Sequence, residues 1–208
     1  MSVRIKLCGV RTVRDALLCA AEGADEIGVI FAAHSKRRVD VATARAIRDA
    51  LPAPVPLVGV FLDATLAEVT ETARAVGLAA AQLHGAWPSE SLSPPRRGGG
   101  FPLPLYAALQ VTGEDSLAQR PGAQRILLDG PAGGSGIPFA WALAHKAREL
   151  FDAPLFISGG LTPENVARAI REARPSGVDV ASGIEGPDGF KDLERVRAFV
   201  RAARGAEP

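Results

Sequence analysis

The chain has 208 residues, 47% of them hydrophobic and only 5% aromatic, with a net charge of +1. That length allows one domain or two small ones with a substantial core. Lys and Arg are spread along the chain, which excludes a nucleic-acid binder, and no apolar run reaches the length of a membrane span.

Val3 to Leu7 alternates as a first strand and ends at Cys8-Gly9. Thr12 caps a helix whose apolar side carries Ala16, Leu17, Ala20 and Ala21, and Gly23-Ala24-Asp25 stops it. Glu26 to Phe31 is the second strand, followed by a polar, basic loop from Ala32 to Asp40. A helix over Val41 to Leu51 ends at the prolines 52, 54 and 56. Leu57 to Phe61 is the third strand. Thr65 caps the next helix, which runs to Val76 and closes at Gly77. Ala79 to Leu83 is the fourth strand, ending at His84-Gly85.

Trp87 to Pro104 is rich in proline and contains Gly98-Gly99-Gly100, so the fourth helix is expected to be shortened or irregular and followed by a mobile loop. A fifth strand spans Leu103 to Leu109, with a short helix over Glu114 to Gln119. Arg125 to Leu128 is the sixth, ending at Asp129-Gly130. The cluster Gly133-Gly134-Ser135-Gly136 reads as a flexible lid or an anion-facing turn, and a helix follows over Pro138 to Phe151. Pro154 to Ile157 is the seventh strand. Ser158-Gly159-Gly160 follows it, then a helix start with Thr162 as cap, Pro163 at the first position and Glu164 in the first turn. Val178 to Ala181 is the eighth strand, with Ser182-Gly183 after it, and the last helix spans Leu193 to Ala203.

Eight strands at this short spacing, each followed by a helix or helix-like segment, predict one (β/α)₈ barrel over residues 1–208, with a doubly wound open sheet as the alternative. In a barrel, the residues just after each strand share one mouth. Cys8, Phe31, Phe61, His84, Asp129, Ser158 and Ser182 then meet there.

Two glycine turns after consecutive strands are either ordinary tight turns or a phosphate clamp, and their pairing in this repeat favours phosphate. Cys8 is a small buried hydrophobe, or a base or nucleophile whose pKa a helix N-terminus lowers. Asp129 either caps its turn or acts as an acid, with partial desolvation raising its pKa. Arg37 has the planar fork that matches a carboxylate. His84 either hydrogen-bonds a ligand or satisfies a loop carbonyl. Asp179 faces away from Val178 and Val180 and suits an orienting role. Cys19, mid-helix among apolar residues, is assigned to packing. The cysteines and histidines have no metal-ligand spacing, and the N-terminus has no signal-peptide apolar region, so a cytoplasmic protein without a metal site is expected.

Several motifs in order resemble one family: Lys6-Leu7-Cys8-Gly9-Val10, Gln82-Leu83-His84-Gly85, Leu127-Leu128-Asp129, Ile157-Ser158-Gly159-Gly160-Leu161, and Val178-Asp179-Val180-Ala181-Ser182-Gly183-Ile184-Glu185 with Lys191-Asp192. They are similar to the phosphoribosylanthranilate isomerases of tryptophan biosynthesis, and the match covers nearly the whole chain. The resemblance implies a cofactor-free barrel that performs an Amadori rearrangement of a phosphosugar, as a monomer or homodimer. It implies Cys8 as general base and Asp129 as general acid. It also implies that Arg37 meets the anthranilate, and that Gly159, Gly160, Ser182 and Gly183 hold the phosphate. No metal is needed, because the iminium formed on ring opening is already an electron sink. One departure is Ala140, where the family usually has Asp; another is Arg38 after Arg37, where an aromatic often stands. The competing readings are a different phosphosugar barrel, which would show metal-binding His and Asp or paired aspartates, and a non-catalytic phosphate-binding barrel.

Overall fold

The computed structural model describes residues 3–86, 103–118, 123–130 and 141–206. Eight parallel strands close into a barrel in sequence order: β1 (Arg4–Leu7), β2 (Glu26–Ile30), β3 (Leu57–Leu62), β4 (Ala80–His84), β5 (Leu105–Gln110), β6 (Arg125–Asp129), β7 (Leu155–Ser158) and β8 (Gly177–Val180). Closure is made by β1 against β8, with Lys6 beside Asp179 and Leu7 beside Val180.

The helices are α1 (Val13–Ala21), α2 (Val41–Ala50), α3 (Leu66–Val76), α4 (Ala142–Leu150), α5 (Val166–Ala173) and α6 (Leu193–Arg204), with a 3₁₀ turn over Glu114–Ala118 between β5 and β6. The first three begin on side-chain caps. Thr12 Oγ1 accepts from Asp15 N at 3.0 Å, and Asp40 accepts from Thr43 N at 2.7 Å. Thr65 and Glu68 form a reciprocal capping box, while Gly77 ends α3 in the left-handed conformation. Such caps contribute about 1 kcal/mol each.

Strand residues alternate between two cores. Ile5, Leu7, Ile27, Val29, Ile126 and Leu128 point outward into a layer shared with the helices. There the helices present alanine: Ala16, Ala44, Ala144, Ala169 and Ala203 are fully buried, so helix and sheet approach closely. The opposite faces fill the barrel interior, where Ala108, Leu127 and Phe156 form a separate small cluster. The interior also contains charge. Arg125 lies between the rings of Tyr106 and Phe156, each centroid 4.0 Å away, and grips Glu26 through both terminal nitrogens at 2.6 and 2.8 Å. This cluster plugs the barrel end where β2 and β6 begin.

One expected element differs. The helix foreseen from Pro163 begins at Val166, and Thr162–Asn165 is a hydrogen-bonded turn. Asn165 causes the delay. Its Nδ2 donates to Gly160 O at 2.9 Å and its Oδ1 accepts from Thr162 N at 2.8 Å, so the segment is tied back to the β7 turn. The expected irregular fourth helix with Gly98–Gly100, the Gly133–Gly136 cluster and Ala140 lie outside the described residues. Among the described residues, no helix is long and apolar enough to cross a membrane.

Candidate active site

The strand ends surround a cavity of about 560 Å³ at the barrel mouth, lined by Cys8, Arg37, Phe61, His84, Asp129, Ser158 and Ser182 among others. Cys8, the first residue past β1, is 4% exposed. Its thiol is not lowered as the sequence suggested. Burial pushes it up, the Lys6 ammonium is the main force opposing that, and Asp179 adds to the rise. Lys6 stands two residues before Cys8 on β1, so both side chains point inward. Lys6 is fully buried and donates from Nζ to Asp179 Oδ1 at 2.8 Å. Burial would discharge it, but Asp179 and the neighbouring Cys8 hold its pKa high.

Asp129 ends β6 beside Ser158, the last residue of β7. Burial raises its carboxyl pKa, and Ser158 Oγ, donating to Oδ1 at 2.8 Å, partly offsets that. A carboxyl poised upward in this way is suited to donate a proton. His84 ends β4, where burial and then the Lys6 charge push its pKa down to about 4. It is therefore a neutral imidazole, with Nε2 2.7 Å from Gln82 Nε2. Gln110 braces the rim from β5, donating from Nε2 to Gly130 O at 2.9 Å.

The two glycine turns lie against each other. Gly159 and Gly160 have φ of +84° and +66°, a region costly for other residues. A Cβ on Gly183 would stand 1.9 Å from Leu161 O, so only glycine lets the β8 turn close onto the β7 turn. Gly159, Gly160 and Ser182 line the cavity, whereas Gly183 sits behind Ser182 against Leu161.

Arg37 reaches the cavity from the loop after β2, while Arg38 is exposed and does not line it. Arg37 is held by Glu185, with Nε to Oε1 at 2.5 Å and Nη2 to Oε2 at 2.8 Å. Phe31 lies behind the mouth, stacked on Phe61 at 5.1 Å. Cys19 is buried in the helix layer, as packing required.

The structure therefore gathers Cys8, Arg37, His84, Asp129, Gly159, Gly160 and Ser182 on one cavity, with Gly183 immediately behind. It adds residues to which sequence reasoning gave no role: Lys6, Gln82, Gln110, Asn165, Glu185 and Lys191. The first two had a readable signal, because period-two alternation from Cys8 and His84 aims Lys6 and Gln82 into the barrel. The others depend on loop geometry or on contacts between distant strands.

Residues 5–202 match the family model described as N-(5'phosphoribosyl)anthranilate (PRA) isomerase. An N-(5'-phosphoribosyl)anthranilate isomerase from Myxococcus xanthus is 43% identical, over 98% of this chain and 97% of its own. The phosphoribosyl anthranilate isomerase structure from Thermotoga maritima superposes with a TM-score of 0.88 at 38% identity, covering 98% of this chain and 99% of that one. A phosphoribosyl anthranilate isomerase in complex with reduced 1-(o-carboxyphenylamino)-1-deoxyribulose 5-phosphate is also similar, with a TM-score of 0.85 at 37% identity and coverage of 98% and 99%.

Proposed function

The chain belongs to the N-(5'-phosphoribosyl)anthranilate isomerase family, and from that premise we propose that Cys8 and Asp129 carry out the proton transfers of the reaction. The reaction converts N-(5-phosphoribosyl)anthranilate into 1-(2-carboxyphenylamino)-1-deoxyribulose 5-phosphate, a step of tryptophan biosynthesis. The observation that carries the assignment is the pairing of a buried thiol and an upward-shifted carboxyl on one cavity that also holds two stacked glycine turns.

The phosphate docks at the backbone of Gly159, Gly160, Ser182 and Gly183, where the turn after β7 is stiffened by Asn165. The anthranilate carboxylate meets Arg37. The ribose then lies between Cys8 and Asp129. Asp129 gives its proton to the ring oxygen, the C1–O4 bond breaks, and the anthranilate nitrogen lone pair forms the C1=N iminium. Cys8, as thiolate, removes the proton from C2. The C–H electron pair becomes the C1=C2 bond and the iminium π pair returns to nitrogen, giving the enolamine. Loss of the enol proton and protonation at C1 yield the aminoketone. Neutral His84 offers a hydrogen bond without competing for either proton.

The ordinary values of 9.0 and 3.8 favour thiol and carboxylate, and burial shifts both groups upward, which works against the thiolate and for the carboxylic acid. On the ordinary order of the two groups, the reactive pair, thiolate with carboxylic acid, is the minor tautomer of that protonation state. Lys6 enlarges that minority by favouring the thiolate.

The test is turnover of phosphoribosylanthranilate, followed by loss of its fluorescence. Wild type turns over, and Cys8→Ser and Asp129→Asn each lose at least about 10²-fold in kcat, the usual contribution of one proton-transfer group. Wild-type rates in either variant would remove that residue from the mechanism, and an inert wild type would sink the functional reading.

A further inference from the structure

Arg37 does not extend freely into the cavity. Its stem crosses Gly9, where a Cβ would lie 2.5 Å from Arg37 Cδ. Its head is gripped side-on by Glu185 through Nε and Nη2. That grip is fixed from both ends. On one side, Arg38 bridges Ile30 of β2 and Arg37 N donates to Ser35 Oγ at 3.1 Å. On the other, Glu185 and Lys191 form an antiparallel bridge, and Gly186 N donates to Phe190 O at 2.9 Å. Lys191, whose side chain is 1% exposed, donates to Glu185 Oε1 at 3.2 Å and to Ala181 O at 2.9 Å. Burial alone would raise the Glu185 carboxyl, but the hydrogen bond from Arg37 and the charge of Lys191 hold it below the usual range.

We propose that Glu185, anchored by Lys191, is the positioning residue that turns Arg37 into a rigid, one-sided receptor for the substrate carboxylate. A guanidinium has two usable edges. Glu185 occupies the Nε–Nη2 edge, which leaves the end-on Nη1–Nη2 edge for a second carboxylate. Arg37 lines the cavity and Glu185 does not, so Glu185 acts through Arg37 rather than on the substrate. The three side chains sum to one positive charge, which one substrate carboxylate neutralises. Holding the fork in advance also removes the rotamer entropy that a free arginine would lose on binding.

This inference rests on the reading that the anthranilate carboxylate meets Arg37. It is tested by steady-state kinetics of wild type, Glu185→Gln, Arg37→Ala and the double variant, with inorganic phosphate as competing probe. In Glu185→Gln, KM for phosphoribosylanthranilate rises about tenfold, the worth of a charge-assisted hydrogen bond, while kcat changes little. The inhibition constant of inorganic phosphate stays at its wild-type value, since the glycine turns are untouched. In the Arg37→Ala background, Glu185→Gln adds no further loss. If Glu185→Gln fails to fold for want of a charge opposite Lys191, Glu185→Asp keeps that charge, withdraws the second oxygen from Arg37 and gives the same KM rise. An unchanged or lowered KM would overturn the proposal, because it would make Glu185 a bystander or a competitor for Arg37. Additive losses in the double variant would overturn it too. Either result in an enzyme that still turns over leaves the functional reading intact, whereas an inert wild type would remove that reading.

Discussion

Replacing Lys6 by Met and Asp179 by Asn together removes the buried ion pair next to Cys8 without leaving a lone charge. Lys6→Met alone would strand a buried Asp179 carboxylate, which is 7% exposed, at a cost of about 3–5 kcal/mol, so the paired change is the cleaner perturbation. The groups whose charges act on or are raised by Cys8 are Lys6, Asp179, Lys191 and Arg37. Lys6 favours the thiolate more than Asp179 opposes it, so loss of both moves the thiol pKa further up. A charge-assisted hydrogen bond contributes about 1.5–3 kcal/mol, and part is returned by removing Asp179, which leaves a rise of about one pH unit. In the mechanism above that one change appears twice. The basic limb of kcat/KM moves up by about one pH unit, and the plateau falls at least about tenfold, because the thiolate becomes rarer by that factor and loss of Asp179, which raises Asp129 more than Lys6 lowers it, also makes the acid form rarer. The assay is the fluorescence decay of phosphoribosylanthranilate across the pH range, with thermal unfolding as a check on folding. A plateau loss with no movement of the basic limb would refute the role given to Lys6, and so would a limb that moves down.

Ser158→Ala removes the hydrogen bond that opposes the rise in Asp129, so the acid limb of the same profile should move to higher pH by up to about one unit; movement to lower pH would contradict this. Because burial holds His84 at about 4, no break is expected near its ordinary value of 6.5, and His84→Gln should keep the shape of the profile. Asn165→Ala loses two hydrogen bonds, together about 1–3 kcal/mol, which should lower Tm by several degrees and weaken inhibition by inorganic phosphate; an unchanged phosphate affinity would mean that the β7 turn holds its shape unaided. Gly183→Ala, whose Cβ would stand 1.9 Å from Leu161 O, should force the two turns apart and weaken phosphate inhibition by about tenfold or more.

Much of the barrel was legible because the apolar strands and their stops recur at short, regular spacing, and because Thr12, Thr65 and Gly77 carry unambiguous cap chemistry. The strand-end rule then placed Cys8, His84, Asp129 and Ser158 on one mouth. What escaped has a common physical character. The delayed start of α5 comes from an Asn165 side chain reaching back to Gly160 and Thr162, where the pattern Thr162-Pro163-Glu164 alone reads as an immediate helix. The Cys8 thiol is shifted up rather than down because burial is set by the closed barrel, not by the local turn. The Lys6–Asp179 and Arg37–Glu185 pairs join residues 173 and 148 positions apart. Only closure of β1 onto β8 and the folding of two loops toward each other bring them together.

The most direct test is a crystal structure with reduced 1-(2-carboxyphenylamino)-1-deoxyribulose 5-phosphate bound. The phosphate should lie against the backbone N–H groups of Gly160 and Gly183 and the carboxylate on the free edge of Arg37. Cys8 Sγ should face C2, with Asp129 at the oxygen that closes the sugar ring in the substrate. A ligand bound in the reverse sense, with phosphate on Arg37, or a sugar that touches neither Cys8 nor Asp129, would contradict that arrangement.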